Sequence, residues 1–206
     1  MLRILSILLL IFGFASNIFS QGNLSADEVL TKASAALTDT KGLGADFTIK
    51  SGQNVGYGSL KTSGERFYVA LPDVEVWYNG KLMYTYNKRI GETSLTVPTL
   101  EEISEINPLY YVRNWKDNFS ARFSDEKKQG RYVIDLVPKA KGSDLKKVTV
   151  TLKASDFMPE SFVGYPENGS PLLINISSFQ KGKTFGVHEF DYPVVKYQDV
   201  EVIDLR

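Results

Sequence analysis

The sequence contains no cysteine and a single histidine, His188, among its 206 residues. Without cysteine the chain can form neither a disulfide nor a thiolate nucleophile, and one histidine cannot build a multi-histidine metal site. No nucleophile-elbow pattern accompanies His188, and no glycine-rich phosphate loop is present. The sequence therefore predicts no catalytic residue, no metal site and no cofactor, and we expect a binding protein rather than an enzyme.

Net charge is also lacking, because 24 basic side chains balance 24 acidic ones. This balance argues against binding nucleic acid and against a polybasic attachment to membranes. Since no disulfide can staple the fold, burial of apolar side chains must stabilise it. The length left after removal of a leader is ample for one domain with a core of its own.

The N-terminus has the pattern of a signal peptide. Arg3 precedes an apolar run from Ile4 to Phe14, and Ser20 offers a small residue for cleavage before Gln21. An uncleaved membrane anchor is the alternative, although the run is shorter than the roughly 20 residues of a spanning helix. We expect a signal peptide over residues 1–20, export to the periplasm, and a single domain over residues 21–206.

An apolar β-meander from Arg66 to Val97 is the feature around which the chain is organised. Asn79-Gly80 predicts a two-residue type I′ turn, which places Tyr78 opposite Lys81. Period-2 alternation then assigns the side chains of this hairpin to two faces. One face carries Trp77, Leu82, Tyr84 and Tyr86, and the other carries Val74, Val76, Tyr78 and Met83. Such a hairpin must be covered on both sides or must enclose something other than protein.

Three helix starts are marked by capping residues. Ser25 with Glu28 and Thr99 with Glu102 are capping boxes, and Asn107-Pro108 is typical of an N-cap followed by a first-turn proline. The helices after Thr99 are short and interrupt a β pattern, which indicates either a mobile lid or a plug that fills a packed core. The predicted lid residues are Ile103, Ile106, Leu109, Val112 and Trp115.

The remaining pattern predicts about ten strands, one of them at Thr184–Val187, with no sign of a parallel sheet. It favours a mainly β fold, either a single antiparallel barrel or a strongly curved sheet, with an N-terminal helix.

Several motifs resemble the periplasmic outer-membrane lipoprotein carriers of the LolA type. They are the hairpin motif Trp77–Lys81 followed by Tyr84 and Tyr86, the strand pair Leu136–Lys139 and Leu145–Val150, and the C-terminal ending F-x-Y-P…VEVIDLR. The resemblance implies an incomplete antiparallel β-barrel closed by helices, with a hydrophobic cavity that shelters the acyl chains of a lipoprotein during transport between the membranes. It also implies an inner-membrane releasing complex and an outer-membrane acceptor as partners. These carriers commonly have an Arg-Pro pair that latches the lid, whereas this chain has Lys61–Gly64 there.

From the resemblance and the alternation together we expect a monomeric lipid carrier whose cavity is lined by the larger aromatic face of the hairpin. The predicted cavity-lining residues are Phe47, Phe67, Trp77, Leu82, Tyr84 and Tyr86. Three alternatives remain: a lipid- or protein-sensing domain of the same fold, a carrier of another lipid, and a barrel whose aromatic side chains pack against each other.

Overall fold

The computed structural model describes residues 24–38 and 41–206. The predicted signal peptide, residues 1–20, and the predicted mature N-terminus at Gln21 lie outside the described residues.

The described part of the chain forms four helices and twelve strands. The helices are α1 Ala26–Thr38, α2 Leu100–Ile106, α3 Leu109–Arg113 and α4 Trp115–Asn118. The strands are β1 Leu43–Ser51, β2 Asn54–Ser63, β3 Arg66–Ala70, β4 Val74–Tyr78, β5 Met83–Asn87, β6 Glu92–Thr96, β7 Phe119–Phe123, β8 Arg131–Pro138, β9 Leu145–Lys153, β10 Pro159–Pro166, β11 Leu172–Lys181 and β12 Glu201–Asp204.

All twelve strands belong to one curved sheet in the order β12-β6-β5-β4-β3-β2-β1-β11-β10-β9-β8-β7. The sheet stays open because its edge strands, β12 and β7, do not pair with each other. The predicted mainly β fold, an incomplete antiparallel barrel with an N-terminal helix, is confirmed. Residues 100–118, which we call the bridge segment, hold α2, α3 and α4 and join β6 near one edge of the sheet to β7 at the other.

Three details of the strand prediction are wrong. Residues Thr184–Val187 form no strand, and β12 pairs with β6 in the parallel direction, although the other strand pairs in the described sheet are antiparallel. A four-residue strand at the end of the chain contains no local signal for the direction in which it pairs. Strand β7, whose apolar residues directly follow a helix, was not predicted either.

The hairpin register also differs from the prediction. Trp77 pairs with Tyr84, and the N–H of Asn79 donates to the carbonyl of Leu82 at 3.2 Å, so the turn residues are Gly80 and Lys81. The Asn79 side-chain oxygen accepts hydrogen bonds from the N–H groups of Lys81 and Leu82. Of the two turn residues, only Gly80 has a positive φ, at 96°. Glycine at the first central position is typical of a type II′ turn. Because the pairing shifts by two residues, the predicted division of side chains between the two faces is unchanged.

Both capping boxes are confirmed. The N–H of Glu28 donates to Ser25 Oγ at 3.2 Å, and the N–H of Ser25 donates to Glu28 Oε2 at 2.8 Å. Thr99 and Glu102 make the same reciprocal pair at the start of α2. The side-chain oxygen of Asn107 accepts a hydrogen bond from the N–H of Leu109, but the N-cap position of α3 is Pro108, one residue later than predicted. Local sequence therefore decides where these short helices begin.

A close approach at Gly58 on β2 leads to the first testable prediction. A Cβ atom there would lie 2.5 Å from Cζ of the Phe47 ring and 2.7 Å from a methyl of Leu71. Because Phe47 is buried and packed, we expect Gly58→Ala to lower the free energy of unfolding by about 1–3 kcal/mol, the usual effect of overpacking. Gly56→Ala on the same strand is the matched control, since a Cβ there has no neighbour within 4 Å. Urea unfolding measures the stability of both variants, and equal stabilities would contradict the close packing of Phe47 and Leu71 against Gly58.

Candidate functional site

The concave side of the sheet is filled by apolar side chains from α1 and the bridge segment. Four of the predicted lid residues are buried, namely Ile103, Leu109, Val112 and Trp115. Two of them, Leu109 and Val112, have no exposed surface at all. Ile106 is half-buried and packs against the same cluster. The five predicted lid residues therefore lie together against the inner face of the sheet.

Two of the predicted cavity residues lie on this concave side. Phe47 and Phe67 belong to the core cluster that contains the bridge segment. The Phe67 ring lies 5.2 Å from Tyr78 and 6.3 Å, edge-on, from Tyr110 of α3. The smaller apolar face of the hairpin, which carries Val76, Tyr78 and Met83, thus faces the helices.

The other predicted cavity residues lie on the convex side, beneath a C-terminal strap formed by residues 188–200. Tyr84 stacks on Tyr192 with ring centroids 4.9 Å apart, and Tyr86 contacts Tyr197 at 4.6 Å. Trp77 meets both strap tyrosines edge-on, at 5.4 and 5.7 Å. Leu82, the remaining residue of this set, is half-buried beside the turn. The chain covers the larger aromatic face of the hairpin with its own C-terminal segment.

A buried carboxylate anchors the strap to the hairpin. Glu75 of β4 accepts the Tyr197 hydroxyl at 2.6 Å and faces the Lys88 and Lys196 ammonium groups at 3.1 and 3.6 Å. Burial alone would raise the pKa of Glu75, but these three partners outweigh burial and hold that pKa below its ordinary value. The strap is therefore fixed by a charged network as well as by ring stacking.

The bridge segment is fastened to the rest of the protein through what we call the latch, Arg113 and Tyr110 of α3. The Arg113 guanidinium donates to the carbonyl of Gly64 at 2.8 Å, to Thr62 Oγ1 at 3.2 Å and to the carbonyl of Leu37 at 3.2 Å. The latch thus reaches both the β2–β3 turn and the end of α1.

Tyr110 reinforces the same contact. Its hydroxyl lies 2.7 Å from the carbonyl of Glu65 and 2.6 Å from the carboxylate of that residue. The sequence did not predict a latch from α3, yet one signal was available. Arg113 follows Leu109 by four residues and so shares its helix face, which makes it a charged residue on a buried stripe.

The latch is not fully satisfied. Burial lowers the pKa of Arg113, and its Nε finds no hydrogen-bond partner among the described residues. The side-chain nitrogen of Asn107, at the junction of α2 and α3, is likewise buried without a partner there. Each unpaired buried donor costs about 1–3 kcal/mol, so the contact of the bridge segment with the sheet is weaker than its apolar burial alone would make it.

A pocket of about 190 Å³ borders the bridge segment on the side of β7, β8 and β9. It has an apolar lining and a partly charged rim. The apolar lining residues are Leu100, Tyr111, Phe119, Pro138 and Leu145, and the rim includes Glu101, Asp117 and Lys139. Sites for drug-sized ligands usually measure about 300–1,000 Å³. The volume of this pocket is below that range.

A second, more open hollow of about 720 Å³ lies among the ends of β9, β10 and β11. Its lining is mixed: the charged residues Lys153, Asp156, Glu160 and Lys181 stand beside the apolar residues Met158, Pro159, Ile176 and Phe179. Within residues 24–38 and 41–206, every helix is too short or too polar to cross a membrane.

The sequence of residues 16–167 matches the family model described as outer membrane lipoprotein carrier protein LolA. No curated protein sequence matches the chain. The matched range contains the hairpin, the bridge segment and the latch, and ends before the strap and β12.

Solved structures share the fold at low sequence identity. An uncharacterized conserved protein from Thermus thermophilus has a TM-score of 0.58 at 13% identity, over 87% of this chain and 98% of that one. A DUF1329 family protein from Desulfovibrio piger has a TM-score of 0.52 at 11% identity, over 82% and 98%. A putative outer membrane lipoprotein-sorting protein domain from Vibrio parahaemolyticus has a TM-score of 0.50 at 12% identity, over 82% and 97%.

Proposed function

The chain belongs to the outer membrane lipoprotein carrier protein LolA family, and from this premise we propose that it shelters the acyl chains of outer-membrane lipoproteins between the concave face of its sheet and the bridge segment. In this proposal the bridge segment is the lid. The protein acts as a carrier without chemistry of its own, in the periplasm, after removal of a signal peptide over residues 1–20. Residues 21–206 form its single domain.

The observation that carries this proposal is the composition of the surface under the lid. Lid side chains such as Leu109 and Val112 are fully buried against the sheet, although each helix of the bridge segment has seven residues or fewer. Helices this short are unstable alone and need tertiary contacts. Acyl chains offer the same apolar contacts, so a bound lipid and the lid compete for the same surface of the sheet.

The energetics of transfer require such a surface. At about 0.8 kcal/mol per methylene, an acyl chain of roughly 15 methylenes gains about 12 kcal/mol from leaving water. A carrier must offer comparable burial and must still release its cargo. In our proposal the latch contributes to release, because Arg113 and Tyr110 make their contacts only when the lid is closed.

The implied partners follow from the family. We propose that an inner-membrane complex loads the lipoprotein and that an outer-membrane protein accepts it. Phe47 and Phe67 would contact the cargo, together with the apolar residues of the lid. The aromatic residues beneath the strap, including Trp77, would stay in contact with the strap.

The two tryptophans of the sequence allow a direct test, because they lie on opposite sides of the sheet. Trp115 is in the lid and Trp77 is beneath the strap. In the variant Trp77→Phe, which keeps only Trp115, we expect a synthetic lipopeptide with two palmitoyl chains to change the emission in a saturable way. In Trp115→Phe, which keeps only Trp77, we expect the emission to stay constant.

The same peptide without acyl chains is the control ligand and should leave both variants unchanged. Native mass spectrometry should then show the lipopeptide bound to the protein in a one-to-one complex. A response of Trp77 alone would place the ligand on the convex side, and absence of any complex would overturn the carrier function.

A further inference from the structure

Strand β12 is the shortest strand of the described sheet and lies at one of its edges. It has four residues, all exposed, with Val202 at 42% and Ile203 at 38% of full exposure. Parallel pairs are slightly less stable per residue than antiparallel ones. The strand also lies beyond the range that matches the family model.

The register of this pairing also places two like charges side by side. Glu201 of β12 lies directly opposite Glu92 of β6, and opposed like charges on neighbouring strands are destabilising. The next basic residue, Arg206, is bound to Asp204 at 2.8 Å. Because β12 places a negative charge next to the negative charge of β6, it is poorly matched to the edge that it covers.

Strand β6 also has contacts that do not involve β12. It pairs with β5 along its whole length, and the Thr93 hydroxyl shares a 3.0 Å hydrogen bond with Tyr192 of the strap. The strap is anchored independently through Glu75. Departure of β12 would therefore expose the main-chain groups of an ordered strand, which is a template for binding an extended peptide.

We propose that the edge of β6 is a docking site for an extended segment of a partner protein, and that β12 occupies this site as an intramolecular placeholder. The partner segment runs parallel to β6, as β12 does. It carries a lysine or arginine opposite Glu92, where the placeholder has Glu201, and an apolar residue opposite Ser94, where the placeholder has Ile203. This docking site is separate from the surface under the lid.

The first test asks whether charge repulsion loosens the placeholder. In the full chain, Glu201→Lys should slow amide hydrogen exchange of residues 201–204 by about threefold to fivefold, the range expected when an opposed like-charge pair becomes an attractive one. The control Asp199→Lys makes the same charge change two residues earlier, before the strand begins, and should leave the exchange unchanged. Equal effects of the two variants would overturn the proposal.

The second test uses a fluorescein-labelled synthetic peptide with the sequence of residues 198–206, in which lysine replaces Glu201. Fluorescence anisotropy should show that this peptide binds the full chain more tightly than the peptide of unchanged sequence does. Binding should weaken about threefold to fivefold in the Glu201→Lys chain, whose placeholder competes better. In the Glu92→Lys chain the preference between the two peptides should reverse. Identical binding of the two peptides, or none, would rule the docking site out.

Discussion

Leu109→Glu should release the bridge segment while the sheet stays folded. The Leu109 side chain has no exposed surface and contacts the core, so a carboxylate there would be buried without a partner. The protein can avoid that penalty by detaching the short helices. We expect amides in residues 100–118 to exchange at least about a hundredfold faster, which corresponds to about 3 kcal/mol of lost local stability. Strands β1 to β5 should keep their protection.

Leu136→Glu is the matched control for this prediction. Leu136 is equally buried in the same cluster, but it lies in the middle of β8 and cannot detach alone. We expect this variant to lose protection throughout the sheet. Release of the lid by itself would favour lipopeptide binding to Leu109→Glu, but we expect binding to weaken overall, because a carboxylate beside the acyl chains costs more than the loosened closed state contributes. If Leu109→Glu lost protection as broadly as Leu136→Glu, the bridge segment would be a plug of the core rather than a lid.

Arg113→Met should bind the two-chain lipopeptide at least about tenfold more tightly than the parent protein and release it more slowly. The three hydrogen bonds of Arg113 exist in the closed, ligand-free structure, so their loss raises the free energy of that state alone. Bonds to a charged group contribute about 1.5–3 kcal/mol each, and removal of the unpaired Nε offsets part of this sum. Methionine preserves most of the aliphatic packing of the replaced side chain.

Titration of the lipopeptide against tryptophan emission measures this effect. Lys116→Met is the control, since it removes the same charge from the exposed side of α4. Its affinity should equal that of the parent protein. Arg113→Lys keeps the charge but loses the forked geometry, and should fall between the two. An affinity of Arg113→Met equal to or below that of the parent would show that the latch does not oppose cargo binding.

Local signals in the sequence were sufficient for α1, for α2 and for most strands, but they did not predict the break between α3 and α4. The pairs Ser25 with Glu28 and Thr99 with Glu102 act within one helical turn, so their outcome depends on few distant contacts. Alternation likewise divided the hairpin side chains into the two faces that the structure shows. The Asn79 side chain decided the turn type, because it binds the two following N–H groups and leaves Gly80 as the first turn residue.

The sequence could not show which face of the hairpin is the inner one. Both faces are apolar, and the choice depends on segments far away in the chain. The strap places Tyr192 on Tyr84, and α3 places Tyr110 against Phe67. The size of the aromatic side chains does not indicate which face meets the helices, because the strap covers the larger face. The contacts of Arg113 are equally remote, since they join residues that lie 49 to 76 positions apart.

The bridge segment is tied at both ends, to β6 on one side of the opening and to β7 on the other. Because both of its ends are attached, the bridge segment cannot open by rotating about a single hinge. It must lift as a span that stays attached at β6 and β7, and the length of this span limits how far it can lift. In the carrier that we propose, this limit would set how much acyl chain the protein can enclose.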